Sequence, residues 1–306
     1  MNQFTIHPDT HLGPLQLLVS DLQRAVHFYG EIIGFKTLQS ENDFACFSAD
    51  GKTPLLALKA FPRLKPRPPH AYGLYHFAVL VPNRMALARS LHHLLEMTYP
   101  LQGASDHLVS EAMYLADPDG NGIEIYSDRP AEEWLWHKRQ VQMETHPLDL
   151  DFLLAELGHG KVTWTGLAPE TRIGHVHLQV PDLYEAEQFY RQALGFEVTT
   201  RYGSGAVFLS AGGYHHHVGL NNWVGSNGHA ALNDVAGMSY FTVCVPDENE
   251  LARLTEHLKQ QRFAFQASAG QIGLADPAGN KLAVCAGEVA ASFLLTNTMS
   301  LGASHK

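Results

Sequence analysis

The sequence predicts an α+β protein made of four tandem βαβββ modules, and three observations carry that expectation. The segment LGPLQLLVSDLQRAVHFYGEIIGF (residues 12–35) aligns without a gap on IGHVHLQVPDLYEAEQFYRQALGF (residues 173–196), at an offset of 161. Identical pairs include Gly13 with Gly174, Asp21 with Asp182, Tyr29 with Tyr190 and Gly34 with Gly195. A weaker pair, YHFAVLVP (75–82) and SYFTVCVP (239–246), is followed by LADPDGN (115–121) in one copy and LADPAGN (274–280) in the other. Self-similarity on this scale fixes the architecture before any single element does. It gives two halves of two modules each. The third observation is the order within a unit: an alternating strand, a helical apolar stripe, then short strands between Gly-rich turns.

Module 1 (10–60) opens with a half-buried strand, and Asp21 stands where its side chain can cap the next helix by accepting an orphan N–H. Proline-rich FPRLKPRPPH (61–70) reads as an extended connection, since proline fixes φ and removes a donor. Module 2 (72–130) carries Gly120, Asn121 and Gly122 as the turn before its last strand. A connector (131–171) contains WLWHKRQVQ and LDLDFLLAEL, which suggest helix and a scaffolding role. In module 3 (172–225) Asp182 repeats the cap. Ala186, Phe189, Tyr190 and Leu194 form an apolar stripe at helical spacing, and Gly195 suits a left-handed C-cap. FEVTTRY, GAVFLSA and HHHVGLN supply its remaining strands. Module 4 (236–287) follows the same plan, and the tail (288–306) reads as a short helix with a frayed end.

Composition narrows the class. Hydrophobic residues at 45% with 17% charged are globular proportions, and no segment approaches the ~20 apolar residues of a membrane-spanning helix. The first residues lack the basic start and apolar run of a secretory signal, so a cytoplasmic location is expected. Cys46, Cys244 and Cys285 sit in apolar runs without CxxC spacing and read as buried hydrophobes in a reducing compartment. A formal charge of −10 argues against a nucleic-acid partner, which would need a basic face.

Tandem βαβββ modules with a strand histidine and a GNGIE strand resemble the vicinal oxygen chelate superfamily, which includes extradiol dioxygenases, glyoxalase I and bleomycin-resistance proteins. The resemblance spans about residues 10–287. It implies that modules pair into two incomplete barrels. It also implies a metal-ligating His five residues before the closing valine of a first strand, and a Glu in a last strand. His76 and His175 occupy that His position in modules 2 and 3, whereas Pro14 and Tyr240 occupy it in modules 1 and 4. Glu124 in GNGIEIY has Ala283 as its counterpart in GNKLAVC. Pairing in chain order would leave neither barrel with three ligands. Pairing module 2 with 3, and 1 with 4, gathers His76, Glu124 and His175 into one barrel and makes the other structural. The second pairing is expected. Two imidazoles and one carboxylate form the facial triad that suits non-haem Fe(II), with Mn, Zn or Ni as alternatives.

The segment HLVSEAMYLADPDGNGIE (107–124) resembles the signature of extradiol dioxygenases, with Ser105 as a departure from its usual residue. Carried over, Tyr114 would bond the substrate oxygen on the metal and His107 a ring hydroxyl or later intermediate. GGYHHHVGLN (212–221) places His216 at the family's acid–base position. If the triplet is strand, His215 and His217 share the face opposite His216; which face looks inward stays open. A pKa near neutral would suit His216 for proton transfer. The resemblance is strongest to two-domain type I extradiol enzymes of the catechol 2,3-type. It implies aromatic-ring catabolism: a catechol-like substrate, O2, ring opening to a muconic semialdehyde type of product, and a homo-oligomer, taken as a dimer. A glyoxalase-like lyase or isomerase and a non-catalytic binding protein of resistance type are the alternatives.

Overall fold

A computed structural model describes residues 4–296 except 62, 66, 69, 161, 226–227, 229–233 and 269. The first unit runs β1 (His11–Val19), α1 (Leu22–His27), β2 (Lys36–Glu41), β3 (Phe44–Ser48) and β4 (Leu56–Ala60). The second runs β5 (Gly73–Leu80), α2 (Arg84–Glu96), β6 (Gly103–Asp106), β7 (Ser110–Ala116) and β8 (Gly122–Asp128). Short strands β9 (Trp136–His137), β10 (Gln140–Val141) and β11 (His146–Pro147) and helix α3 (Leu150–Leu154) form the connector. The third unit holds β12 (Arg172–Gln179), α4 (Leu183–Gln192), β13 (Glu197–Tyr202), β14 (Ala206–Ser210) and β15 (Val218–Asn221). The fourth holds β16 (Gly237–Val245), α5 (Glu248–Gln260), β17 (Gln266–Ser268), β18 (Gln271–Ala275) and β19 (Lys281–Ala286), and α6 (Ala291–Thr296) follows.

Helix starts follow the capping logic. Asp21 Oδ1 accepts from the Arg24 N–H at 3.0 Å and Asp182 Oδ1 from the Glu185 N–H at 2.9 Å. Residues Phe28–Ile33 continue α1 as a π-helical turn, which Gly34 ends in the left-handed region at φ 96°.

All the strands except the β9/β10 pair form two curled sheets. One has nine strands in the order β11-β6-β7-β8-β5-β12-β15-β14-β13, joining the second and third units through an antiparallel β5/β12 seam. The other has eight, β17-β18-β19-β16-β1-β4-β3-β2, joining the first and fourth through β1/β16. Sheets therefore pair 2+3 and 1+4, the arrangement expected from the distribution of candidate ligands. Units that are neighbours in the chain are tied differently. Tyr29 OH donates to Asp117 Oδ2 at 2.8 Å, and Tyr190 OH to Asp276 Oδ2 at 3.1 Å.

The concave faces of the two sheets differ in content. In the eight-stranded sheet Phe44, Cys46, Tyr240, Cys244, Ala283 and Cys285 pack with Val289 and Leu294 into a closed apolar cluster. Gln16 Nε2 donates to the Leu294 carbonyl at 3.1 Å and anchors α6 over it. Burial pushes the Cys244 and Cys285 thiols up to about 12, so these cysteines serve as packing groups. The nine-stranded sheet encloses polar groups instead.

Two expectations are corrected. The WLWHKRQVQ segment is a two-stranded hairpin, because Lys138 and Arg139 take left-handed φ values of 48° and 67° that reverse the chain; only LDLDFLLAEL turns into helix. The His triplet is irregular, and strand pairing begins at Val218, so its side chains do not alternate as a strand's would. Of the tail, residues 291–296 are helical, while the frayed end expected over 297–306 lies outside the described residues.

Candidate metal centre

Strand register assembles the site. In the parallel β5/β8 pair Ala78 lies opposite Glu124 and His76 opposite Gly122; in the antiparallel β5/β12 pair His175 faces Ala78 and His177 faces His76. Side chains two apart on a strand share a face. His76, Glu124, His175 and His177 therefore project together into the concave side. β7 adds Tyr114, paired with Glu124. Glycines make the close packing feasible: a Cβ on Gly122 would sit 2.1 Å from the Tyr75 carbonyl oxygen, and one on Gly219 would meet the His177 ring at 3.0 Å.

One ligand atom each from His76, Glu124 and His175 lies within 4.8 Å of the others. Glu124 Oε2 is 3.0 Å from His76 Nε2 and 3.2 Å from His175 Nε2. Donors at about 2.1 Å from one centre at right angles stand roughly 3 Å apart, so these separations match a shared ion. Two features show that the residues fit a cation. His76 Nε2 is buried without a hydrogen-bond partner although it faces the carboxylate. Glu124, 2% exposed, is faced by the imidazoles of His76 and His175 and by Tyr114, and a buried carboxylate without a cation is costly. Burial holds His175 down to about 4, so it presents a neutral ring with a free lone pair, as a metal ligand must.

The triad lies at the wall of a cavity of about 250 Å³. Tyr75, Phe208 and Trp223 give it aromatic sides, and no Lys or Arg is among its described lining residues. His107 Nδ1 donates to the Glu144 carbonyl at 2.8 Å, leaving Nε2 to accept from Tyr114 OH at 2.6 Å. Burial, followed by Glu124, raises the Tyr114 phenol well above its usual range, so it remains a donor.

His216 also lines the cavity, its ring centroid 4.0 Å from that of His175. Its pKa is depressed well below the ordinary value by burial and the neighbouring imidazoles, in place of the near-neutral value expected. His215 and His217 are directed elsewhere. His215 Nε2 lies 2.8 Å from Asp128 Oδ1, and His217 Nδ1 lies 3.0 Å from Ser210 Oγ beside a second cavity. The structure thus brings together all six residues selected from sequence: His76, Glu124 and His175 with His107, Tyr114 and His216.

Several lining residues escaped the sequence reading. His177 accepts from Asn221 Nδ2 at 3.0 Å and stands edge-on to His76, with ring centroids 5.0 Å apart. The H-x-H spacing of β12 was the available signal, because it sets His177 on the same face as His175. Met143, Glu144 and Thr145 show that the connector forms part of the wall as well as a scaffold. No local pattern marked them.

Comparison with known proteins agrees with this fold. Residues 11–125 and 172–284 match the model of the Glyoxalase/Bleomycin resistance protein/Dioxygenase superfamily. The chain is 41% identical over 276 residues to the catechol-2,3-dioxygenase of Bacillus subtilis (strain 168), covering 89% of this chain and 96% of that one. Among solved structures, a putative dioxygenase from Bacillus subtilis superimposes with a TM-score of 0.63 at 12% identity, covering 93% of this chain and 86% of that one. Glyoxalase I from Zea mays gives 0.50 at 14% identity, covering 91% and 92%. These two likenesses concern the fold alone.

Proposed function

Because the chain belongs to the Glyoxalase/Bleomycin resistance protein/Dioxygenase superfamily, we propose that it is an extradiol ring-cleaving dioxygenase, acting on a catechol-like substrate with O2 at a metal held by His76, Glu124 and His175. The observation that carries this reading is the convergence of that triad with Tyr114, His107 and His216 on one aromatic-walled cavity.

Fe(II), held by His76, Glu124 and His175, would supply Lewis acidity and redox chemistry there. The protein's own groups orient the substrate and handle its protons. Tyr114 OH gives its proton to His107 Nε2, so its oxygen would accept from a substrate hydroxyl. His216, neutral through burial, accepts the proton of the second ring hydroxyl and returns it later in the reaction. Tyr75, Phe208 and Trp223 bound the ring and limit water.

Protein purified without oxygen and loaded with Fe(II) should consume O2 and give the yellow ring-opened product from catechol. Stoichiometric iron binding without O2 uptake or product would sink the dioxygenase reading. The lining also sets a preference. With Glu144 present and no Lys or Arg among the described lining residues, a carboxylate on the ring would meet no cationic side chain there. Methylcatechol should therefore exceed 3,4-dihydroxybenzoate in kcat/KM by about tenfold or more. Equal values would show that a cation reaches the ring.

A further inference from the structure

The triplet's first two imidazoles are bonded to each other: His215 Nδ1 and His216 Nδ1 are 2.7 Å apart. One of these nitrogens must carry the proton and the other the lone pair. The choice follows from the far side of His215, where Nε2 meets Asp128 Oδ1 at 2.8 Å. A carboxylate only accepts, so this Nε2 carries hydrogen, and a neutral His215 then has a bare Nδ1. His216 must donate to it from Nδ1–H. Its Nε2 is left unprotonated, and no described protein group bonds that atom. We propose that Asp128 and His215 are positioning residues that fix the tautomer of His216, so that the lone pair of Nε2 is delivered to the cavity.

The arrangement is built. His215 is fully buried, and its carbonyl accepts from Thr199 Oγ1 at 2.5 Å, which holds the irregular segment in place. Asp128 ends β8, four residues beyond Glu124, and Tyr214 OH donates to its Oδ2 at 3.0 Å. Trp134 packs edge-on to His215 at 5.2 Å between centroids and closes the other side. Asp128 touches neither the triad nor the cavity. Its influence passes through two hydrogen bonds, and that is the sense in which it positions. With the opposite tautomer His216 would present Nε2–H to the substrate and could not accept the hydroxyl proton.

The inference rests on the acid–base role given to His216 above, so the experiment reads the tautomer separately from activity. The full-length chain is labelled with ¹⁵N-histidine, and long-range ¹H–¹⁵N spectra are recorded without metal and with Zn(II) added. His216 is expected to be protonated on Nδ1 and His215 on Nε2. In Asp128→Asn the amide can donate to His215 Nε2, and His216 should shift toward the Nε2–H form. Asp128→Ala, which frees His215, should give a mixture. In the Fe(II)-loaded protein both variants should lower kcat by about 10²-fold with KM and iron content nearly unchanged, and Asp128→Glu should restore part of it. Three results would overturn the proposal: His216 protonated on Nε2 in the unaltered chain, His215 protonated on both nitrogens, or a His216 tautomer unchanged in both the Asn and Ala variants. If the tautomers behave as stated but catechol is not opened, the functional reading fails while the positioning role stands.

Discussion

The side chains of His216 and His217 face different cavities although one peptide bond separates them. That divergence makes a test at the scale of single residues. His216→Phe should retain iron and substrate binding and lower turnover by about 10²- to 10⁴-fold, as loss of a general acid–base group does. His217→Phe removes a ring buried against Ser210 and Ala211, outside the metal cavity, and should leave turnover within about threefold, since it touches no reacting group. The reverse pattern in steady-state kinetics, with His217→Phe inactive, would move the acid–base role one residue along. Sequence reasoning reached His216 through a motif but misjudged its surroundings. Alternation was argued for a strand, whereas the triplet precedes the strand and its rings are directed by Asp128, His175 and Ser210. Asp128 lies 87 residues from His215 in the chain, and local pattern carries no information about that contact.

At the scale of elements, the DPDGN and DPAGN turns show which half of a motif is structural. Asp117 accepts from the backbone of Asn121 at 2.8 Å and from its amide, and Asp276 does the same with Asn280. Each carboxylate is then met by a tyrosine from the preceding unit. Module 4 keeps this arrangement although it has lost the glutamate. The turn therefore belongs to the fold, and Glu124 to the site. Tyr29→Phe and Tyr190→Phe should each cost about 1–3 kcal/mol in urea unfolding, because a buried acceptor loses its donor. Metal content should be unaffected. A Tyr29→Phe protein of normal stability but without metal would place this hydrogen bond in the site. Both tyrosines and both turns were visible as repeats in the sequence. That they touch was not, because the contact joins a helix to a turn 88 residues away.

On the scale of the whole molecule, the two sheets are versions of one design in which only one retains room for an ion. Repeat arithmetic gave the pairing of modules, since three donors survive as one set only if modules 2 and 3 share a sheet. It could not show what fills the other barrel. There Ala283 occupies the position of Glu124, Tyr240 that of His76, and α6 closes the opening with Leu294. This asymmetry predicts opposite results for reciprocal substitutions. Glu124→Ala removes a buried carboxylate that would be paired by the proposed ion. The metal-free variant should remain within about 1 kcal/mol of the unaltered chain, since alanine already serves at the equivalent strand position. The unaltered chain should gain about 2.7 kcal/mol at a metal concentration a hundred times its Kd, and the variant nothing. Ala283→Glu does the reverse. Its carboxylate would enter an apolar cluster of Phe44, Cys46 and Tyr240 without a cation, at a cost of about 3 kcal/mol or more. Denaturant titrations with and without metal measure both effects. If Ala283→Glu folds with full stability, or Glu124→Ala unfolds without metal, then the division into one binding and one packing barrel does not hold.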